Sequence, residues 1–92
     1  MKSFRRKVTT IDDGDSFRVA RRIGNSNRIR LANVNAPERY ATGGRRATAT
    51  LRGMVGGRTV TIKPVGRSYG RLVADVVADR KSVNRRMRRR GY

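Results

Sequence analysis

Cysteine and histidine are both absent from the 92 residues, and only 6 residues are acidic. Without cysteine there is no disulfide and no thiolate nucleophile. With histidine missing too, zinc sites and imidazole bases are excluded. The lack of cysteine does not by itself decide the compartment. No apolar run approaches the ~20 residues of a spanning helix, so no membrane partner is expected. The N-terminal Met1-Lys2-Ser3-Phe4-Arg5-Arg6-Lys7 is basic, but no apolar stretch of signal-peptide type follows it. The expected location is therefore cytoplasmic or nucleoid-associated. Aromatics are also scarce: 3 tyrosines and 2 phenylalanines.

What the chain has is positive charge. It carries 24 basic residues, 20 of them arginine, for a formal charge of +18. Self-repulsion on this scale opposes compaction unless polyanions are near. DNA and/or RNA is the expected partner, alone or within a larger nucleoprotein assembly. Arginine suits phosphate because its planar fork reaches two oxygens at once. The length fits one small domain spanning residues 1–92.

The hydrophobic pattern predicts short strands. Residues 1–7 read as a basic lead-in, the start of a strand or an arm. Val8–Ile11 is β-branched, and Asp12-Asp13-Gly14-Asp15 is a turn. Ser16–Ile23 alternates, with Phe17 and Val19 inward. Gly24–Asn27 is a second turn, and Arg28–Val34 a third strand. Ala47, Leu51, Met54 and Val55 then follow helical spacing, which predicts a helix from about Gly44, with Thr42 as its N-cap and Gly56-Gly57 ending it. Thr59–Lys63 is a strand that Pro64 stops, and 65–68 a loop. Tyr69–Ala78 is the fifth strand, 79–81 a turn. Ser82 caps a last basic helix over 83–90, with Val83 and Met87 on its inner face and Gly91 as C-cap. The order β-β-β-α-β-β-α is mainly β and is the plan of a five-stranded OB-fold barrel, which often binds oligonucleotides.

In so basic a chain the acids are the rarer signal. Three lie at Asp12, Asp13 and Asp15, and a fourth is Glu38. The turn at 12–15 and the loop at 35–38 border strands that can pair, so the two can meet. Two readings are open on spacing alone: ion pairs with neighbouring arginines, or oxygen ligands for a hard cation in phosphate chemistry. Asp75 and Asp79 are expected to pair with arginines or serve turns. Tyr40 is expected either to stack on a base or to pack.

Four motifs occur in order: Asp13-Gly14-Asp15-Ser16-Phe17, then Ile29-Arg30-Leu31-Ala32-Asn33-Val34-Asn35-Ala36-Pro37-Glu38, then Tyr69-Gly70-Arg71, then Val83-Asn84 before Gly91-Tyr92. Together they resemble the staphylococcal nuclease (thermonuclease) family over roughly residues 8–92. The resemblance implies an OB barrel and phosphodiester cleavage in DNA and RNA, usually with Ca2+. It implies Asp15 as a metal ligand and Ala36 as a residue whose carbonyl touches the metal. It implies Arg30 and Arg71 as phosphate-binding arginines, Glu38 as the group that activates or positions water, and Tyr69 as a substrate-phosphate contact. Attack on a phosphodiester builds negative charge on the phosphoryl oxygens, which arginines and a divalent cation are suited to stabilise.

One position departs from the family pattern. Asn35 stands where the family usually has its second metal aspartate, so calcium affinity is expected to be weaker. Two functions follow. The first is a metal-dependent nuclease with little sequence preference, using Arg30, Glu38 and Arg71. The second is a nuclease-fold module that binds nucleic acid without cleaving it. Arg85, Arg86, Arg88, Arg89 and Arg90 are expected to contact the nucleic-acid backbone in either case.

Overall fold

The computed structural model describes residues 2–92; Met1 lies outside them. The elements are β1 (Phe4–Asp13), β2 (Ser16–Ile23), β3 (Ser26–Leu31), α1 (Gly44–Val55), β4 (Thr59–Ser68), β5 (Arg71–Ala78), β6 (Lys81–Ser82) and α2 (Val83–Arg89). The sheet order is β3-β2-β1-β4-β5-β6, and a parallel β3–β5 pairing closes the first five strands into a barrel. This is the expected mainly-β OB-like barrel with two helices.

The alternation of β2 works as predicted: Phe17, Val19 and Ile23 are buried. In β1 the buried residues Val8 and Ile11 are three apart, which would place them on opposite faces of a regular strand. A register shift between Val8 and Thr10 turns both inward. On α1 the stripe Ala47, Leu51, Met54 and Val55 is buried, as the spacing predicts. Val83 and Met87 of α2 complete the core.

The structure departs from the sequence reading at several boundaries. The lead-in is part of β1 from Phe4 onward, because Phe4 to Lys7 pair with Ile62 to Thr59. β3 ends at Leu31 rather than Val34: Asn33 takes a left-handed φ of 58° and lifts the chain off the sheet. Thr42 is not the N-cap. Gly43, at φ 81°, begins α1 without any side-chain cap. Pro64 does not stop β4, which continues to Ser68. Beyond Ile62 this edge has no β1 partner, so the missing proline N–H breaks no ladder bond, and a bulge between Pro64 and Gly66 absorbs the kink. β5 starts at Arg71, since Tyr69 and Gly70 take φ of 52° and 77° in the turn before it. Lys81–Ser82 forms a short sixth strand instead of finishing the turn. The α2 cap is as expected. The Ser82 hydroxyl accepts the Arg85 N–H at 3.2 Å, and Gly91 closes the far end at φ 95°, with Tyr92 N–H donating to Met87 and Gly91 N–H to Arg88.

Candidate active site

The site grows from the two-residue turn between β1 and β2. Gly14 occupies it because nothing larger fits: a Cβ there would lie 2.6 Å from the Ala47 Cβ of α1 and 2.7 Å from the Ala36 Cβ. The turn is therefore wedged between the first helix and the loop leaving β3. The Asp15 carbonyl accepts the Leu31 N–H at 2.8 Å, and its carboxylate Oδ2 accepts the Ala36 N–H at 3.1 Å. The predicted meeting of the 12–15 turn and the 35–38 loop is thus made through Asp15 and Ala36.

Arg30 is the next component. It faces away from the β3 core residues Ile29 and Leu31, as strand alternation requires. Its Nη1 donates to the Leu31 and Val34 carbonyls, both at 2.6 Å. Its Nη2 donates to Asn35 Oδ1 at 3.1 Å and lies 3.5 Å from Asp15 Oδ2. The kink at Asn33 turns the Val34 carbonyl back toward Arg30, so the break in the strand builds the clamp. The Asn35 N–H in turn donates to the Tyr92 carbonyl at 2.9 Å.

The acids divide. Asp12 turns aside to Arg18, at 3.3 Å. Asp13 and Asp15 remain together, with the Ser16 hydroxyl donating to Asp13 at 2.7 Å. Burial, then hydrogen bonding with Asp13 and its negative charge, push the Asp15 carboxyl up to about 6, against the pull of the Ala36 N–H and Arg30. Burial also acts upward on Asp13. Hydrogen bonds from Asp15 and Ser16 and the charge of Arg71 outweigh it and hold Asp13 below its ordinary value. Arg71, at the start of β5, thereby belongs to the same electrostatic neighbourhood.

Other predicted residues form no side-chain hydrogen bond or ion pair with this cluster among the described residues. Glu38 is exposed and, among the described residues, makes no ion pair; its carbonyl accepts the Ala41 N–H at 2.9 Å. Tyr69 is 93% exposed at its turn. Arg85, Arg88 and Arg89 are exposed and Arg86 half-buried on α2, and Arg90, which caps the helix one residue short of the predicted end, is exposed; none makes an ion pair among the described residues. Asp75 likewise pairs with no arginine, while Asp79, at φ 52°, serves its turn.

Among the described residues no group of three or more acids, histidines or cysteines is placed to hold a metal ion. The donors brought together are all oxygens, those of Asp13, Asp15 and Asn35 Oδ1, while Ala36 meets them through its N–H. These suit a hard cation in kind, and the raised Asp15 is a crowded negative pair that a cation would relieve. In charge they are poor, because Asn35 is neutral and Arg30 already engages both Asn35 and Asp15.

Two structural residues have no part in the sequence-derived site. Asn84, fully buried, donates to the Ala32 and Ala74 carbonyls at 2.9 and 3.1 Å and accepts the Val76 N–H at 2.9 Å. It ties α2 to β5 and to the exit of β3. The sequence signal for it is a polar residue within the apolar Val83–Met87 face. Gly44 has the backbone of Glu38 and Arg39 against it, leaving no space for a Cβ. It seats the turn that carries Glu38.

Residues 28–92 match the family described as Staphylococcal nuclease homologue. A protein of Escherichia coli O157:H7 named "Uncharacterized endonuclease" is 38% identical over 87 residues, covering 92% of this chain and 56% of that protein. A protein of Haemophilus influenzae with the same name is 29% identical over 86 residues, covering 92% of this chain and 48% of that protein. The chain spans about half the length of these curated relatives. The family match begins within β3 and takes in the Arg30 clamp, Glu38, Arg71 and Asn84. The chain belongs to the staphylococcal nuclease homologue family.

Proposed function

We propose that this chain is a nuclease domain that hydrolyses phosphodiester bonds of DNA and/or RNA with little sequence preference. The observation that carries the reading is the Arg30 clamp. Two backbone carbonyls hold one arm of the guanidinium, and its other arm meets the mostly buried Asp15, whose neighbour Asp13 feels the charge of Arg71. A phosphate arriving there exchanges with Asp15 and Asn35 Oδ1 for the second arm of a guanidinium that the two carbonyls already hold in position.

In this reading Arg30 and Arg71 bind the phosphoryl oxygens and stabilise their growing charge. Glu38 orients the attacking water and accepts its proton as the new P–O bond forms. The opposite P–O ester bond breaks, and its oxygen takes a proton from solvent. Tyr69 contacts a neighbouring phosphate, and the α2 arginines hold the backbone. Calcium, held by Asp15, Asn35 Oδ1 and the Ala36 carbonyl, would add positive charge beside the reacting phosphate.

The test is incubation with single-stranded DNA and with RNA, in calcium and in chelator, beside Glu38→Gln. Cleavage that requires both calcium and Glu38 is expected; its absence would sink the enzyme reading. A second reading is supported by Asn35, whose neutral amide oxygen is engaged by Arg30. In that case the domain binds nucleic acid without cutting it, as a nucleoprotein component. Tight, salt-sensitive binding without products would identify this alternative.

A further inference from the structure

Beside the Glu38 turn the surface carries two adjoining hollows of about 340 and 310 Å3 that share Arg39, Tyr40 and Arg45. Arg46 and Arg52 of α1 extend their rims. Tyr40 is 83% exposed, so its ring contributes little to the core. Among the described residues none of the four arginines is neutralised by a carboxylate. The turn beneath is held by its backbone. The Glu38 carbonyl accepts the Ala41 N–H at 2.9 Å, the Ala41 carbonyl accepts the Gly44 N–H at 2.8 Å, and Gly44 admits the turn only because it lacks a Cβ.

We propose that this surface binds a single-stranded stretch of nucleic acid, with a base stacked on Tyr40 and the adjacent phosphates on Arg39, Arg45, Arg46 and Arg52. The proposal deepens the nuclease reading, since it gives the strand a path away from Glu38. An aromatic ring on a fixed turn offers a stacking face with little ordering cost, and the surrounding guanidiniums match the phosphates on either side. A base can reach the ring only when it is free of its own stack, so a duplex cannot use Tyr40. A purely electrostatic surface would need no aromatic residue at its centre.

The test measures binding in the Glu38→Gln background by fluorescence anisotropy. Three probes of equal length are used: oligo(dT), an abasic deoxyribose-phosphate oligomer and a duplex. Tyr40→Ala is expected to weaken oligo(dT) binding about tenfold or more while leaving the abasic and duplex probes unchanged. Tyr40→Phe should restore oligo(dT) binding. Arg39→Ala with Arg45→Ala should weaken both the oligo(dT) and abasic probes, and lower the log–log salt slope by about 1.4. Unchanged oligo(dT) binding in Tyr40→Ala, or an equal loss on the abasic probe, would overturn the proposal. Tyr40-dependent binding beside an uncut substrate would defeat the nuclease reading alone. Glu38-dependent cleavage with Tyr40-independent binding would defeat this proposal alone.

Discussion

Arg30 and the arginines of α2 are the same residue in two different settings. Arg30 is clamped by the Leu31 and Val34 carbonyls and paired with Asp15. Those of α2 project around a seven-residue helix with no acid opposite them among the described residues. The first setting fixes a charge in place before any ligand arrives. The second leaves charges that reorient with whatever polyanion approaches. Fixed charge favours stabilising one reacting phosphate; mobile charge favours affinity for a backbone. The difference comes from backbone carbonyls and not from the arginine itself.

Removing the fixed charge should have the largest effect. Arg30→Ala is expected to lower single-turnover cleavage about 100- to 1,000-fold, the scale of losing a preorganised donor. A rate within a few-fold of wild type would mean the clamp serves structure alone. Next in size is the scaffold behind it. Asn84→Ala removes three buried hydrogen bonds to the backbone, of whose partners the Ala74 carbonyl keeps the Ala32 N–H, and should cost about 2–4 kcal/mol in urea unfolding. A smaller loss, with an unchanged m-value, would show that water replaces the amide.

The carboxylate pair predicts a pH dependence. In the metal-free protein Asp15 titrates at about 6 against an ordinary 3.8, so the folded chain holds more protons between those values. Stability therefore falls as pH rises through this window. Asp13, shifted the other way, contributes the opposite slope at lower pH, below the ordinary carboxylate value. Asp15→Asn should flatten the fall. A slope that survives the substitution would place its origin elsewhere.

The mobile side of the comparison predicts smaller changes. Replacing Arg88, Arg89 and Arg90 together with alanine should weaken nucleic-acid binding about tenfold and reduce the salt slope by about 2–3, with little change in the rate of the bound complex. A loss of rate equal to the Arg30 variant would erase the distinction. The smallest expected effect is at Asn35. Asn35→Asp should tighten calcium binding several-fold, as read by calorimetry. Unchanged affinity would show that Asn35 does not line the metal site.

Much of the barrel is legible from local pattern. Alternation in Ser16–Ile23 and the helical stripe from Ala47 to Val55 survive folding because each buries one face of one element. The misread boundaries depend on partners distant in sequence. Pro64 looks like a strand terminator until β1 is seen to stop pairing at Ile62. Thr42 looks like a cap until Gly43, seated by the packing around Gly44, takes its place. The site is legible in part for the same reason. Asp15, Arg30, Arg71 and Asn84 all stand in motifs, but the bond from Asn84 to the Ala32 carbonyl, which gives the residue its role, joins positions that no local window contains.

The sequence by itself determined a strongly cationic barrel with motif residues in order, because charge and hydrophobic period are properties of composition and spacing. Only the tertiary structure decided that Arg30 is locked to two carbonyls and that the Asp15 carboxylate meets the Ala36 N–H and Arg30. It also decided that Glu38 stands on an exposed turn beside the surface lined by Tyr40 and four arginines, none of them paired with a carboxylate among the described residues. The physical reason is that the Arg30 bonds, though local in sequence, need the chain to leave the sheet at Asn33, while the meeting of Asp15 with Ala36 and Arg30 joins segments far apart in the chain, with α1 packed over Gly14.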